Sequence, residues 1–415
     1  MDFDELLRLK TEAILELRRE VPLDDFDRQL NEELAKGSSA NWGVIENCLN
    51  VISSIMYPGR GKQIESQFAE GLAGRRVLCV VDFAAIPYSF NVLVYLMVCN
   101  KFRVETAADV MDVAFVGHAS TPGILNQSHH TEEVIKNRFR TLCHNLGIAA
   151  TRLVPNVGSV MFFDNRALFA TFLDSVRSSH AIFPPYYDPR FPLVRTSESR
   201  ADNFCFIHLT DAPRAEDVLV LKRPHDETLM ARRWLKKNVY PAIPVTLTLR
   251  NLSFEPVKNS DPEKWTRILT EVRDPRVKFV ILPDYYDAFG DEKIVSENVV
   301  YCPEATLSLP LRAATYGAAA FNIFGNNGPL AIGYLSTDIH YLIFLDTVAT
   351  GSSSASEIKR GEGLEPGGQF WGASDFQRLV WETQDEGRMA EAIAKLIADL
   401  DRTQRLVPEW YAGVD

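Results

Sequence analysis

The chain has 415 residues, of which 46% are hydrophobic and 24% charged, and a formal net charge of −11. That length and apolar content call for about two globular domains with substantial cores. The acidic balance excludes the general basic field that non-specific nucleic-acid binding requires, so nucleic acid is not an expected partner.

The chain opens with DFDELLRLKTEAILELRREV, in which Leu6, Leu7, Leu9, Ile14 and Leu17 stand among charges of both signs. This pattern predicts an amphipathic helix, whose stripe packs on the protein's own surface or on a partner or membrane surface. A start this charged is not a secretory signal peptide. Further helices are expected at Trp42–Met56 and near Ile64–Leu72, separated by YPGRGK, so residues 1–75 read as a helical extension. The most apolar stretch, Phe90–Cys99, is too short to span a bilayer, and no transmembrane segment is expected. The six cysteines are scattered without Cys-x-x-Cys spacing, which suits buried, reduced thiols and a cytoplasmic protein.

Strand and helix then alternate. Strands are predicted at Val77–Asp82, Val113–Val116, Thr151–Val154 and Ala181–Phe183. Helices are predicted from about Phe90, over HHTEEVIKNRFRTLCHNLG, and over DNRALFATFLDSVRSS with Asp164 as its cap. A domain over residues 76–221 follows. The second series, within 222–415, runs helix Asp226–Asn238, strand Pro244–Arg250, helix Pro262–Val272, strand Val277–Pro283, strand Val299–Cys302 and helix Leu309–Ala318. It continues with strand Ala320–Phe324, helix Pro329–Leu335, strand Tyr341–Phe344 and a closing helix, Glu386–Asp401, that caps a core. Repeated alternation implies parallel sheets, so the expected class is α/β with two Rossmann-like domains behind the helical extension.

Familiar nucleotide and hydrolase signatures are missing: there is no GxGxxG, no GxxxxGK[ST] and no GxSxG. The adjacent His129 and His130 point in different directions on a helix and make a poor metal site. What remains are polar residues at the carboxyl ends of predicted strands in the second domain. VTLTLRN ends in Arg250 and Asn251, KFVILPDYYD reaches Asp284, and FNIFGNNGP reaches Asn326, Asn327 and Gly328. Arg250 offers a planar fork suited to a diphosphate, or a surface ion pair. In the turn, the asparagines supply amide donors and tolerate positive φ, Gly328 lets a ligand approach the backbone, and Pro329 opens a helix whose first N–H groups could meet a phosphate. A tight structural turn is the alternative. Glu304 either accepts from a ribose or base or is a solvated loop carboxylate.

Two stretches, PVTLTLRNLSFEPVKNSDPEKWTRIL and LPLRAATYGAAAFNIFGNNGPLAIGYLS, carry a resemblance. From about Leu221 to Leu400 the chain resembles the nucleotide-sugar-binding domain of GT-B-fold glycosyltransferases, in the neighbourhood of heptosyltransferases and bacterial fucosyltransferases. The heptosyltransferase turn carries Ser/Thr-Gly-Pro and then His, whereas here Asn326 and Asn327 replace the hydroxyl and Ile332 or a neighbour stands in place of the histidine.

The resemblance implies a metal-independent transferase that takes a nucleotide-diphosphate sugar, with an acceptor that is a glycan, lipid or protein. It also places VVDFAAIPYSFNVLVYL at the acceptor loop, with Tyr88, Ser89 and Asn91 facing the acceptor. Asp82 is then the first candidate for the base and His118 the second. Asp82 also suits a turn or capping role. Near the end, KRGEGLEPGGQFWGASDFQRLVWE reads as a flap with Gln377 and Arg378 as nucleotide contacts, or as an ordinary surface loop. An epimerase or hydrolase on the same architecture, or an inactive binding protein, shares these features.

Overall fold

The computed structural model describes residues 75–83, 86, 89–117, 143–163, 165–184, 187, 206–210, 212, 214–251, 256–288, 290, 293–345, 354–381 and 385–402. The helices expected before residue 75 and the His129–His130 pair lie outside the described residues. Two compact units emerge, one within residues 1–143 and 156–204, the other within 144–155 and 205–415.

The first unit holds a parallel sheet of β1 (Arg76–Asp82), β2 (Val110–Val116), β3 (Val157–Phe163) and β4 (His180–Phe183), in the order β3-β2-β1-β4. The interior strands β1 and β2 are mainly apolar, with Asp112 as the one charged residue inside β2, and are buried almost throughout, as a sheet covered on both faces requires. Between them runs α1 (Asn91–Glu105), buried from Val92 to Asn100 with no polar face. Its Tyr95 hydroxyl donates to the Val80 carbonyl at 2.8 Å and fastens it to the sheet.

The strand expected at Thr151–Val154 is instead helical at Ala149–Thr151, and the strand comes later, as β3. Thr151 Oγ1 donates to the Ile148 carbonyl at 2.6 Å, and Asn156 takes a positive φ of 57° that turns the chain into β3. The β-branched content of 151–154 imitated a strand that these local bonds forbid. The next helix, α2 (Arg166–Val176), is capped by Asn165, whose side chain accepts from the Ala167 and Leu168 amides, and not by the expected Asp164.

The second unit holds six parallel strands: β5 (Ile243–Thr248), β6 (Val277–Leu282), β7 (Val299–Tyr301), β8 (Phe321–Phe324), β9 (Tyr341–Leu345) and β10 (Gln377–Trp381). Their order is β10-β9-β8-β5-β6-β7. The unit's helices include α3 (His225–Asn238), α4 (Pro262–Glu271), α5 (Pro303–Leu307), α6 (Leu309–Ala318), α7 (Leu330–Tyr334), α8 (Ala355–Glu362) and α9 (Glu386–Ala398). Asp261, Ser308 and Asp385 cap α4, α6 and α9 through side-chain oxygens.

Trp265, Ile268 and Leu269 of α4, with Met389, Ile393 and Leu396 of α9, close the core over Val245, Phe279, Ile323 and Leu342. Each such side chain contributes roughly 1.5–3 kcal/mol by leaving water. Among the described residues no helix is long and apolar enough to cross a membrane.

From β5 the chain builds outward to β6 and β7, then returns to lay β8 on the other side of β5. Ligands of open α/β sheets bind outside the carboxyl ends of the strands where the order reverses in this way. That point is the gap between β5 and β8.

Candidate functional site

On the β5 side, Arg250 follows the strand by two residues and is 7% exposed. Its amide donates to Ser260 Oγ at 3.0 Å, its carbonyl accepts from the Ser260 amide at 2.8 Å, and its Nη1 donates to Asn259 Oδ1 at 2.6 Å. These bonds fix the backbone of Arg250 and one nitrogen of its guanidinium at the carboxyl edge. Asn251 then spans to the end of β6: its amide donates to Asp284 Oδ2 at 3.1 Å and its side chain to Asp287 Oδ2 at 2.8 Å. Lys293 pairs with the other Asp287 oxygen at 3.0 Å. Arg250, Asn251 and Asp284 thus belong to one hydrogen-bonded edge.

On the β8 side, Asn327 is 8% exposed and its Nδ2 donates to the Thr248 carbonyl at 3.3 Å. Its Oδ1 is buried and meets no hydrogen-bond donor. A Cβ placed on Gly325 would meet nothing within 4 Å, so space lies beside the loop. Asn326 is half-buried and Gly328 exposed.

Residues 325–328 do not use left-handed φ, which among the described residues falls at Ala107, Asn156, Gly363, Gly367 and Gly372. Nor does the following helix offer its amides to an anion. α7 has five residues, and the N–H groups of Leu330, Ala331 and Ile332 already donate to the carbonyls of Asn327, Gly328 and Pro329 at 3.2, 3.1 and 3.0 Å. A sequence of successive tight turns consumes the donors that a longer helix would have left open.

Sequence reasoning passed over Arg312, in the first turn of α6. It is 6% exposed, its Nε donates to the Ala305 carbonyl at 3.2 Å, and its guanidinium lies beside the Tyr316 phenol. The Tyr316 hydroxyl shares a 2.7 Å hydrogen bond with Thr248 Oγ1, on the last residue of β5. Burial pushes the Tyr316 phenol up, against the pull of Arg312 and Thr248. Among the described residues no carboxylate forms an ion pair with Arg312. Glu304, in the first turn of α5, is exposed and lies against the Cys302 thiol, which burial pushes up to about 12.

Gln377 and Arg378 lie elsewhere. They begin β10, so they stand at the amino edge of the parallel sheet, opposite Arg250. Gln377 is 5% exposed, and its side-chain amide donates to the carbonyls of Ser336 and Ile339 at 2.7 and 2.9 Å. Arg378 pairs with Asp399 at 2.8 Å. The segment read as a flap runs from the end of α8 through an irregular stretch, residues 363–376, into the edge strand β10, which holds both Gln377 and Arg378.

A half-buried acid stands apart from this edge. Glu362 closes α8 with its Oε2 buried and without a hydrogen-bond partner. Burial pushes its carboxyl up to about 7, against the pull of the Tyr334 phenol and Lys258.

In the first unit, Asp82 ends β1 and is 2% exposed. Arg166, the first residue of α2, grips it with two hydrogen bonds of 2.8 and 2.5 Å, and the Tyr187 hydroxyl donates to it at 2.6 Å. The carboxylate is an anchor between elements in this arrangement. Ser89 Oγ accepts from the Asn91 amide at 3.2 Å, and both residues form the start of α1. Tyr88 and His118 lie outside the described residues. Away from this edge, Arg76 makes two 2.6 Å bonds to Asp112, joined by His180 at 3.1 Å and the Ser159 amide at 2.8 Å.

No protein-family model matches the chain, and no curated protein matches it. Three of the solved structures similar to it are glycosyltransferases. A glycosyl transferase family 9 protein from Veillonella parvula has a TM-score of 0.44 at 10% identity, covering 82% of this chain and 98% of its own. The E. coli ADP-heptose LPS heptosyltransferase II has a TM-score of 0.45 at 10% identity, covering 79% and 99%. An E. coli heptosyltransferase solved with ADP has a TM-score of 0.39 at 11% identity, covering 80% and 100%.

Proposed function

We propose that this chain is a metal-independent glycosyltransferase of the GT-B plan that takes a nucleotide-diphosphate sugar as donor. The donor would lie at the carboxyl edge of the six-stranded sheet. The observation that carries this reading is the reversal of strand order between β5 and β8, with Arg250 and Asn251 following one strand and Asn326, Asn327 and Gly328 the other.

In transfer, the anomeric carbon loses its bond to the diphosphate and gains one to an acceptor hydroxyl, whose proton passes to a base. Arg250 opposes the charge that grows on the departing diphosphate. Asn327 Oδ1 accepts from a ligand hydroxyl or amide. Asp82 serves to position Arg166 and does not take the proton, because its oxygens are occupied by Arg166 and Tyr187.

The test is a thermal-shift series with ADP, GDP, UDP, CDP and their sugars on the full chain and on Arg250→Ala. A ligand that raises the melting temperature of wild type, and raises that of the variant less, supports the reading. No shift with any member at millimolar concentration overturns it. A nucleotide-binding protein without transferase activity is the second reading, favoured by the closed arrangement around Asp82. Release of nucleoside diphosphate from the identified donor, with and without candidate acceptors, separates the two.

A further inference from the structure

Resting on that reading of the carboxyl edge, we infer that the Arg312 guanidinium is an inner anion subsite that takes the diphosphate of the donor nucleotide as its missing counter-ion. An arginine is charged at every pH a protein tolerates, and buried charges in folded proteins are paired. Arg312 is buried, yet its one hydrogen bond to the backbone is from Nε to the Ala305 carbonyl, and no carboxylate among the described residues pairs with it.

Its place in the fold is the place a ligand would need. The residue stands in the first turn of α6, behind the Ser308 cap, beside Tyr316, whose hydroxyl meets the last residue of β5. The same Thr248 receives the Asn327 amide from the loop after β8, so Arg312 is linked to both lips of the gap.

The first amides of α7 point the same way by their absence. They donate to carbonyls of their own turn, so an anion at this edge must be met by side chains. A diphosphate suits the forked guanidinium, which donates two parallel bonds to adjacent phosphoryl oxygens.

The experiment is calorimetric titration of inorganic pyrophosphate and of ADP, GDP, UDP and CDP into the full chain, with R312Q, R312K and Arg250→Ala beside wild type. Removing an uncompensated buried charge should leave the unliganded melting temperature of R312Q equal to or above that of wild type, and weaken pyrophosphate binding by about thirtyfold or more. R312K, which keeps the charge without the fork, should bind between the two. Wild-type affinity in R312Q overturns the inference, and so does a fall in its unliganded melting temperature, which would make the arginine structural. If wild type binds neither pyrophosphate nor any nucleoside diphosphate, the reading of the edge falls with it. If wild type binds and only Arg250→Ala weakens the affinity, the assignment of Arg312 alone is overturned.

Discussion

Asn327 Nδ2 lies 3.3 Å from the carbonyl oxygen of Thr248, so the loop after β8 is tied to the last residue of β5 across the reversal of the sheet. The other end of the same amide, Oδ1, has no donor. Asn327→Ala therefore removes one hydrogen bond worth about 1 kcal/mol together with an unpaired acceptor of comparable cost. Its unliganded stability in urea should stay within about 1 kcal/mol of wild type, while affinity for the nucleotide falls by about tenfold. A large loss of stability with unchanged affinity would make Asn327 a structural tie alone.

Glu362 gives the fold a dependence on pH in the neutral range. Its folded value is raised to about 7 from an ordinary 4.5, so it binds a proton in the native state that the unfolded chain has released. The stabilisation is complete below the unfolded value and is lost as pH rises through about 7. Stability should decline between pH 5 and pH 8 by up to about 3 kcal/mol, and Glu362→Gln should flatten that decline. Urea midpoints across the range measure both curves, and parallel curves would refute the assignment.

Asp112 acts in the opposite sense at acid pH. Burial pushes its carboxyl up, but hydrogen bonds from His180, Arg76 and the Ser159 amide outweigh burial and hold it well below the ordinary carboxylate range. Its contribution is present above the unfolded value of about 3.9 and is lost as pH falls toward the folded one. Asp112→Asn should cost about 2–3 kcal/mol at pH 7, less than a fully buried pair because Arg76 is partly exposed. The variant should also lose less stability than wild type on acidification below about pH 4. Denaturant melts at a series of acid pH values provide the check.

Gln377 separates a strand from a flap. Gln377→Ala leaves the carbonyls of Ser336 and Ile339 without their side-chain donor, at a cost of about 2 kcal/mol. Nucleotide affinity should not change. A weakened affinity at unchanged stability would restore the residue to the ligand.

The α/β class and the course of most strands were legible because an interior parallel strand is a continuous apolar run. RVLCVVD, IPVTLT and VKFVIL announce themselves by composition alone. Thr151 to Val154 shares that composition but is decided by a side-chain bond to Ile148 and by the turn at Asn156, which no period reveals.

Arg250 was visible because it directly follows such a run. Arg312 was not, since an arginine in a helix beginning Leu309, Pro310, Leu311 gives no sign of being buried without an acid. Only the packing of α5 and α6 shows it. The amides of α7 were misjudged for a related reason, because the sequence marks where a helix starts and not how soon it stops.

The four strands β3-β2-β1-β4 and the four strands β7-β6-β5-β8 follow one plan, although the sequence carries no repeat. Asp82 and Thr248 end the corresponding first strands, Arg166 and Arg312 occupy the first turn of the helix before the fourth strand, and a tyrosine hydroxyl meets each strand end. The first sheet balances its arginine with its own aspartate, whereas in the second a threonine stands in the aspartate's place and reaches the arginine only through Tyr316. Thr248→Asp would supply that balance: the protein should then melt higher without ligand, and any anion drawn to Arg312 should bind more weakly, as melting curves with and without pyrophosphate would measure.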